Sequence, residues 1–549
     1  MVPSGVISFR RAASIRRVWP LLVIPAAFGV VVLAAPSRQY HWDTLERAYL
    51  LEHPARYIRS WDNSPRSQFL SFAHVLELPL AAIVRAAIPG ISGLRALCVF
   101  EALVAMALLV LTGLLVTWWR AMTAAGTERD GRWAALAAQA TLAAAFAFWR
   151  MGSSGEEKTL ALATQVLFLG AFWRTLGLGA TVTAATEPAR VRMVRHAATL
   201  AAAALALAIL SHLTGAVLVP FAGVALAVLP TAWRPARPAL VRALLAASIA
   251  VALAYAAVAA WTTFVRSPAE FYRYLTFFHR PAGMDFFDLG AATATPPARF
   301  MQVLHGMGSF FAAPPWAHVG VLALLASAAA LPAWRRRRGN VDRASARVAR
   351  AVLHRHALVL GAMWTAHFAW FEPGNHESWT LVAFLGVLLA AVSLPGRSAL
   401  ALAVLPVGLL VANVAAYAAA RRPLDYAAYA AVVARDTQPS DVVVLVGGSQ
   451  AGKPLRGSLG MRYFLAAGPP RVYASLYDVL GVTQPEYWGR PFTTPAALQE
   501  AIGAGRRVFV PEFLRNEIER ANASGIVRIT TVTAGDSLLQ ITHIAAVSP

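Results

Sequence analysis

The sequence is short of charge, of lysine and of cysteine, and each shortage excludes something. Of 549 residues, 14% are charged against 58% hydrophobic, too little polar surface to cover a soluble globule of this size. Lipid must serve as the solvent for most of the chain. Cys98 is the single cysteine, which rules out an intramolecular disulfide and a thiolate metal cluster and leaves it as core or lipid-facing filler. Lysine occurs only at 158 and 453 in an arginine-dominated chain. Acidic residues are outnumbered, giving a formal net charge of +22, yet the arginines are scattered between apolar runs and form no stripe of the kind that grips nucleic acid. No short-period or inverted repeat is visible, and the alanine richness of the runs is compositional bias.

Apolar runs are what the chain has in abundance. A span needs about 20 apolar residues to cross about 30 Å of hydrocarbon. Eleven are expected, at residues 18–35, 94–119, 132–149, 159–178, 197–211, 214–230, 240–262, 316–333, 351–371, 378–394 and 398–420. Arg10, Arg11, Arg16 and Arg17 precede the first, which reads as an anchor with its N-terminus in the cytoplasm and is longer than a cleavable signal. Phe69–Ile88 is also apolar, but His74, Glu77, Pro79 and Arg85 suit an amphipathic helix lying in the interface. Ser211, His212 and Gly215 supply the break between two short spans. This choice gathers Arg120, Arg129, Arg132, Arg190, Arg192, Arg195, Arg234, Arg237, Arg335–Arg338, Arg343, Arg347 and Arg350 on one face, the cytoplasmic one, together with nearly all of the net charge. Arg421 and Arg422, just outside the last span, depart from the rule.

The expected fold is therefore a polytopic α-helical membrane domain, residues 1–420, with outward loops at 37–93, 149–158, 262–315 and 371–378. A soluble, extracytoplasmic α/β domain follows at 421–549. In it, strands are expected at Asp441–Val446, Arg471–Leu476 and Arg507–Val510, helices near Leu459–Ala467, Pro495–Ile502 and Leu514–Ala523, and a hairpin over Ile526–Ile544. Gly447–Lys453 spells part of a phosphate loop, but Pro454 stands where a metal-binding Ser or Thr is needed. It reads as a glycine-rich turn, and no nucleotide partner is expected. The sequon Asn522-Ala523-Ser524 reads as chance.

The outward loops hold most of the ionisable groups. Asp43 stands about eight residues beyond the first span, where a lipid-linked phosphate would present its head group. Glycosyl transfer to a hydroxyl needs a base near the acceptor proton and positive charge on the departing phosphate. Asp43 with Arg56, Arg59 or Arg66 could fill those roles; alternatively Asp43, Glu46 and Arg47 merely cap and solvate a short interfacial helix. Glu156 and Glu157 could assist or hold a metal, or serve as helix N-terminal charges. Lys158 stands next to them, and His212 at its helix break could meet a phosphate or be a structural group. His376 and Glu377 are adjacent, so they form no His-x-x-x-His pair, and Pro373-Gly374 reads first as a turn.

A short cytoplasmic N-terminus, a first span followed at once by Trp42-Asp43-Thr44-Leu45-Glu46-Arg47-Ala48-Tyr49, an amphipathic segment and then many spans resembles the GT-C superfamily of polyprenyl-phosphate-sugar glycosyltransferases. Protein O-mannosyltransferases and bacterial aminoarabinose transferases are the most similar in pattern. The resemblance implies that Asp43 is the catalytic or acceptor-binding aspartate and that Glu156 or Glu157 is the second acidic residue. On the reading of the loops themselves, Lys158 with Arg56, Arg59 and Arg66 would hold the donor phosphate, His212 could contact it, and Glu46, His376 and Glu377 would be acceptor-side or secondary groups. The donor would be a polyprenyl-phosphate sugar, a divalent cation is allowed but not required, and the location would be a bacterial cytoplasmic membrane. Asp43-Thr44 stands where the family has Asp-Glu, and Gln68–His74 where it has a His-Pro-Pro-Leu-Tyr-like stretch. Two rivals come from other classes: a transporter or lipid-linked glycan flippase built around Glu101, and a noncatalytic envelope-assembly protein whose tail recruits partners.

Overall fold

A computed structural model describes residues 19–40, 42–53, 75–123, 127–156, 158–180, 188–261, 267–269, 295–335, 344–371, 374–394, 403–422, 426–445, 461–465, 472–475, 495–512, 515–525, 527–535 and 537–546. The chain divides into two compact units. One comprises Met1–Ser37, Cys98–Ala252 and Ala294–Arg422, the other Arg38–Leu97, Leu253–Thr293 and Pro423–Pro549.

The first unit is helical. Its elements include α1 (Val23–Ala34), most of α4 (Gly93–Met122), α5 (Glu128–Ala143), α6 (Phe146–Ser154), α7 (Lys158–Gly179), α8 (Pro188–Ser211), α9 (Leu218–Ala227) and most of α10 (Arg237–Trp261). These are followed by α11 (Pro296–Phe311), α12 (Trp316–Arg335), α13 (Ala344–Phe371), α14 (Thr380–Ser393) and α15 (Val404–Ala420). Among the described residues, five helices are long and apolar enough to cross a membrane, or seven if each bent pair is one span. The bent pairs are α5 with α6, turned by 68°, and α11 with α12, turned by 85°. Trp19–Ala34, Leu213–Ala227 and Val404–Ala420 are apolar but shorter.

Both bends differ from expectation. The run 132–149 reads as one straight span, but the chain turns at Ala144 and Ala145. The stretch 262–315 reads as a loop, yet Pro296 and Pro297 open the helix α11, whose Val303, Phe310 and Phe311 are buried. A local hydropathy reading misses both because a break inside an apolar run is allowed only when other side chains satisfy the freed backbone groups. Asn413 of α15 does so at both corners. Its amide donates to the Ala144 carbonyl at 3.2 Å and the Phe311 carbonyl at 2.8 Å, and its oxygen accepts from the Ala313 N–H at 2.8 Å.

The second unit is built on a five-stranded sheet. Its strands are β1 (Val442–Leu445), β2 (Val472–Ser475), β3 (Val508–Pro511), β4 (Val527–Ala534) and β5 (Leu538–Ala546), in the order β2-β1-β3-β5-β4. β1 runs parallel to β2 and β3, and the hairpin β4–β5 joins β3 antiparallel. Alternating side chains face opposite layers. Val442, Val444, Val508 and Val510 meet Leu498 of α18 (Pro495–Gly503) and Ile518 of α19 (Arg515–Ser524). On the other face Val443 and Phe509 pack with Ala430 and Val433 of α16 (Tyr426–Asp436) and Leu465 of α17 (Met461–Leu465). That layer also takes Leu45 and Tyr49 of α2 (Trp42–Glu52), a helix from the first outward loop. The sequence does not reveal that α2 belongs to the core of the tail. The Asn522 amide exchanges two hydrogen bonds with the Ile529 backbone. Gly447–Gln450 and Ala451–Lys453 lie outside the described residues.

The apolar segment ending at Ile88 contains a helix, α3 (Glu77–Ala87), which buries Glu77 together with Leu78 and Ala81. Glu77 is 0% exposed, whereas Ile83 is 64% and Ile88 41% exposed. Arg47 Nη1 meets Glu77 Oε2 at 2.7 Å, so the carboxylate that argued against a span is paired with a cation. Residues 69–74 lie outside the described part.

Candidate active site

In the first unit, polar side chains gather where α6 gives way to α7 and α8 breaks into a 3₁₀ turn, Leu213–Val217. Gly155 closes α6 with a φ of 78°, a left-handed conformation that a side chain would resist. Glu156 follows, 2% exposed, with Oε1 at 3.6 Å from Arg150 Nη2. Lys158 opens α7 and places its Nζ 2.9 Å from His212 Nε2. His212 caps the 3₁₀ turn, its Nδ1 facing the Thr214 N–H at 3.2 Å and Thr214 Oγ1 at 2.7 Å. Gly215 makes the break possible, because a Cβ there would collide with the Ala208 carbonyl. The buried hydroxyls of Ser154, Thr159 and Ser211 flank these residues in sequence and have no hydrogen-bond partner among the described residues. Ser153 accepts from the Ser37 N–H at 3.3 Å, and the Ser37 hydroxyl donates to the Ala420 carbonyl at 3.3 Å, so the ends of α1, α6 and α15 are tied together.

Lys158 and His212 thus meet, although 54 residues separate them in the chain. His376 and Glu377, both half-buried, occupy a separate 3₁₀ turn, His376–Trp379. There the Glu377 N–H donates to Asn375 Oδ1 at 3.1 Å, and Trp364 holds the Ser378 carbonyl at 2.7 Å. In the second unit, Asp43 lies in the first turn of α2 and Glu46 one turn further on. Their side chains, together with Arg56, Arg59, Arg66 and Glu157, lie outside the described residues. Sequence reasoning missed Arg150 as the partner of Glu156, although both stand in the expected outward loop 149–158. It also missed Asn413, whose signal was legible as a lone amide in the apolar run 404–420.

The side chains of Asp43 and Glu157 lie outside the described residues. No group of three His, Cys, Asp or Glu side chains forms among the described residues, and Glu156 faces a guanidinium. No step is assigned to a metal.

The sequence matches no protein-family model and no curated protein. Solved structures do match. The apo oligosaccharyltransferase of Archaeoglobus fulgidus aligns with 94% of this chain and 72% of its own at a TM-score of 0.54 and 12% identity. The chain has the GT-C fold. The same archaeal protein, AglB, in complex with an inhibitory peptide and a dolichol-phosphate, repeats the match at a TM-score of 0.51, 12% identity and 93% and 71% coverage. ArnT from Cupriavidus metallidurans aligns with 95% of this chain and 97% of its own, at 12% identity and a TM-score of 0.45. Identity this low speaks for the GT-C fold alone, and chemistry must be argued from the residues.

Proposed function

We propose that the chain is a membrane glycosyltransferase that moves a sugar from a polyprenyl-phosphate donor to an extracytoplasmic acceptor, whether lipid, glycan or protein. The observation that carries this reading is the 2.9 Å contact of Lys158 with His212, in the same chain turn as the buried Glu156 and its Arg150 partner. An ammonium held by an imidazole at a helix end suits an anionic leaving group, and the GT-C fold supplies the setting. The dolichol-phosphate bound by AglB supports a polyprenyl phosphate as the carrier.

In the reaction, the bond from the anomeric carbon to the phosphate oxygen breaks and its electron pair leaves with the phosphate. The acceptor oxygen bonds to that carbon and loses its proton to a carboxylate. Asp43 takes this proton; Glu156 or Glu157 orients the acceptor. Lys158, held in place by His212, neutralises the departing phosphate together with Arg56, Arg59 and Arg66, while Glu46, His376 and Glu377 serve the acceptor side. In this reading the chain makes eleven crossings of a bacterial cytoplasmic membrane, with its N-terminus inside and residues 421–549 outside.

The test is a transfer assay on the full chain in nanodiscs with a panel of polyprenyl-phosphate sugars. Asp43→Asn is expected to abolish transfer while undecaprenyl-phosphate binding persists. Lys158→Met is expected to weaken that binding roughly ten- to a hundredfold, the value of one charge-assisted hydrogen bond. Full transfer by Asp43→Asn would overturn the assignment of the base, and unchanged binding by Lys158→Met that of the phosphate site.

A further inference from the structure

The second unit holds a cavity of about 670 Å³ lined by Leu51, Glu52, Ala82, Arg85, Gly90 and Ser92, among others. Two opposite charges line it. Arg85 donates through Nη1 to the Leu51 carbonyl, and a guanidinium has further N–H groups to offer. Glu52 accepts through Oε1 from the Gly93 N–H and, at 3.0 Å, from the Tyr463 hydroxyl, which leaves Oε2 for another donor. Among the described residues, neither side chain forms an ion pair with the other.

Opposite charges that share a cavity without neutralising one another fit a ligand that carries both signs. The surroundings say what else that ligand must have. Ala86, on the cavity wall, is exposed on α3 one turn beyond the exposed Ile83, and the exposed Ile88 follows just past the helix end, an apolar rim that water disfavours and hydrocarbon suits. We infer that this cavity binds the head group of a zwitterionic phospholipid carrying a primary amine. Its phosphate sits on Arg85, its ammonium donates to Glu52, and its acyl chains lie along Ile83 and Ile88. Phosphatidylethanolamine has this chemistry. Phosphatidylglycerol lacks the cation, and phosphatidylcholine lacks the N–H donors. The site is independent of the transfer reaction, since none of its residues is assigned a part in it.

The experiment is native mass spectrometry of the delipidated full chain in detergent, titrated with each of the three lipids. Phosphatidylethanolamine is expected to bind at least tenfold more tightly than the other two. Glu52→Gln should remove most of that preference, and Arg85→Gln should weaken phosphatidylethanolamine and phosphatidylglycerol alike. Because Glu52 also holds Gly93, Ala82→Trp is the companion variant. It fills the cavity from α3, and its expected result is an unchanged thermal unfolding temperature with phosphatidylethanolamine binding lost. Equal affinity for the three lipids, or undiminished binding by a folded Ala82→Trp chain, would overturn the inference. Transfer activity that survives in Ala82→Trp would show the lipid site and the proposed reaction to be separate, and would leave each to stand or fall alone.

Discussion

An ammonium has donors and no lone pair, so a charged Lys158 requires His212 to offer Nε2 as acceptor and to carry its ring hydrogen on Nδ1. That hydrogen then goes to Thr214 Oγ1 at 2.7 Å, which leaves the longer approach of the Thr214 N–H as a contact only. Thr214 therefore sets the ring orientation, as an outer partner does for a ligating histidine. Tyr463 shows the other use of a buried polar group. Burial, with the Glu52 carboxylate adding to it, pushes its phenol up to about 12 from an ordinary 10.0, against the lowering effect of its bond to Ser92. A group whose folded value is raised holds its proton better when folded, so its contribution is complete below pH 10 and is lost as pH climbs toward 12. The second unit should therefore lose stability across that window, and Tyr463→Phe should flatten the loss, as read by thermal unfolding at stepped pH.

The two bent helix pairs turn on one amide. Asn413 satisfies the Phe311 carbonyl and the Ala313 N–H, and shares the Ala144 carbonyl with the Tyr417 hydroxyl, which donates to it at 2.6 Å. Asn413→Ala would orphan the buried Phe311 carbonyl and the half-buried Ala313 N–H, at a cost of about 1–3 kcal/mol for the buried group and less for the other. A markedly lower unfolding temperature in detergent is expected, and Asn413→Asp should not restore it because the carboxylate keeps the acceptor and loses both donors. A shift of less than about 2 °C for the alanine variant would show that the corners hold without the amide. Arg120 works in the same way at another helix end. Expected as a loop charge, it is 3% exposed and donates to the Ala391 and Leu394 carbonyls at 2.9 and 2.6 Å, closing the C-terminus of α14 with a cation. Its positive charge serves packing.

The second unit is assembled from distant stretches of chain, and α2 is part of its core. Removing residues 423–549 would strip Val433, Val443, Leu465, Phe509 and Leu538 from around Leu45 and Tyr49. Loss of transfer in such a truncation would therefore not show that the tail catalyses anything, because α2 carries Asp43. The truncated chain is expected to become protease-sensitive between residues 38 and 97. Leu45→Ala in the full chain should do the same more weakly, costing about 2–5 kcal/mol as a buried leucine does. Equal protease resistance in the truncated and full chains would show that α2 keeps its fold without the sheet.

What adjacent residues encode was legible before any fold was known. Short β-branched apolar runs placed β1 within Asp441–Val446 and β3 against Arg507–Val510, longer apolar runs located the helices, and Ser211, His212 and Gly215 marked a true break. The sequence also singled out Lys158 and His212, though not their contact. It took the folded chain to show that Asn413 meets carbonyls 102 and 269 residues away, that Glu77 finds Arg47, and that α2 completes a sheet layer with residues from the far end of the chain. Hydropathy and periodicity are sums over adjacent positions. Which buried faces and orphaned backbone groups find one another depends on the closure of long loops and on mutual fit, and no window of neighbouring residues carries either.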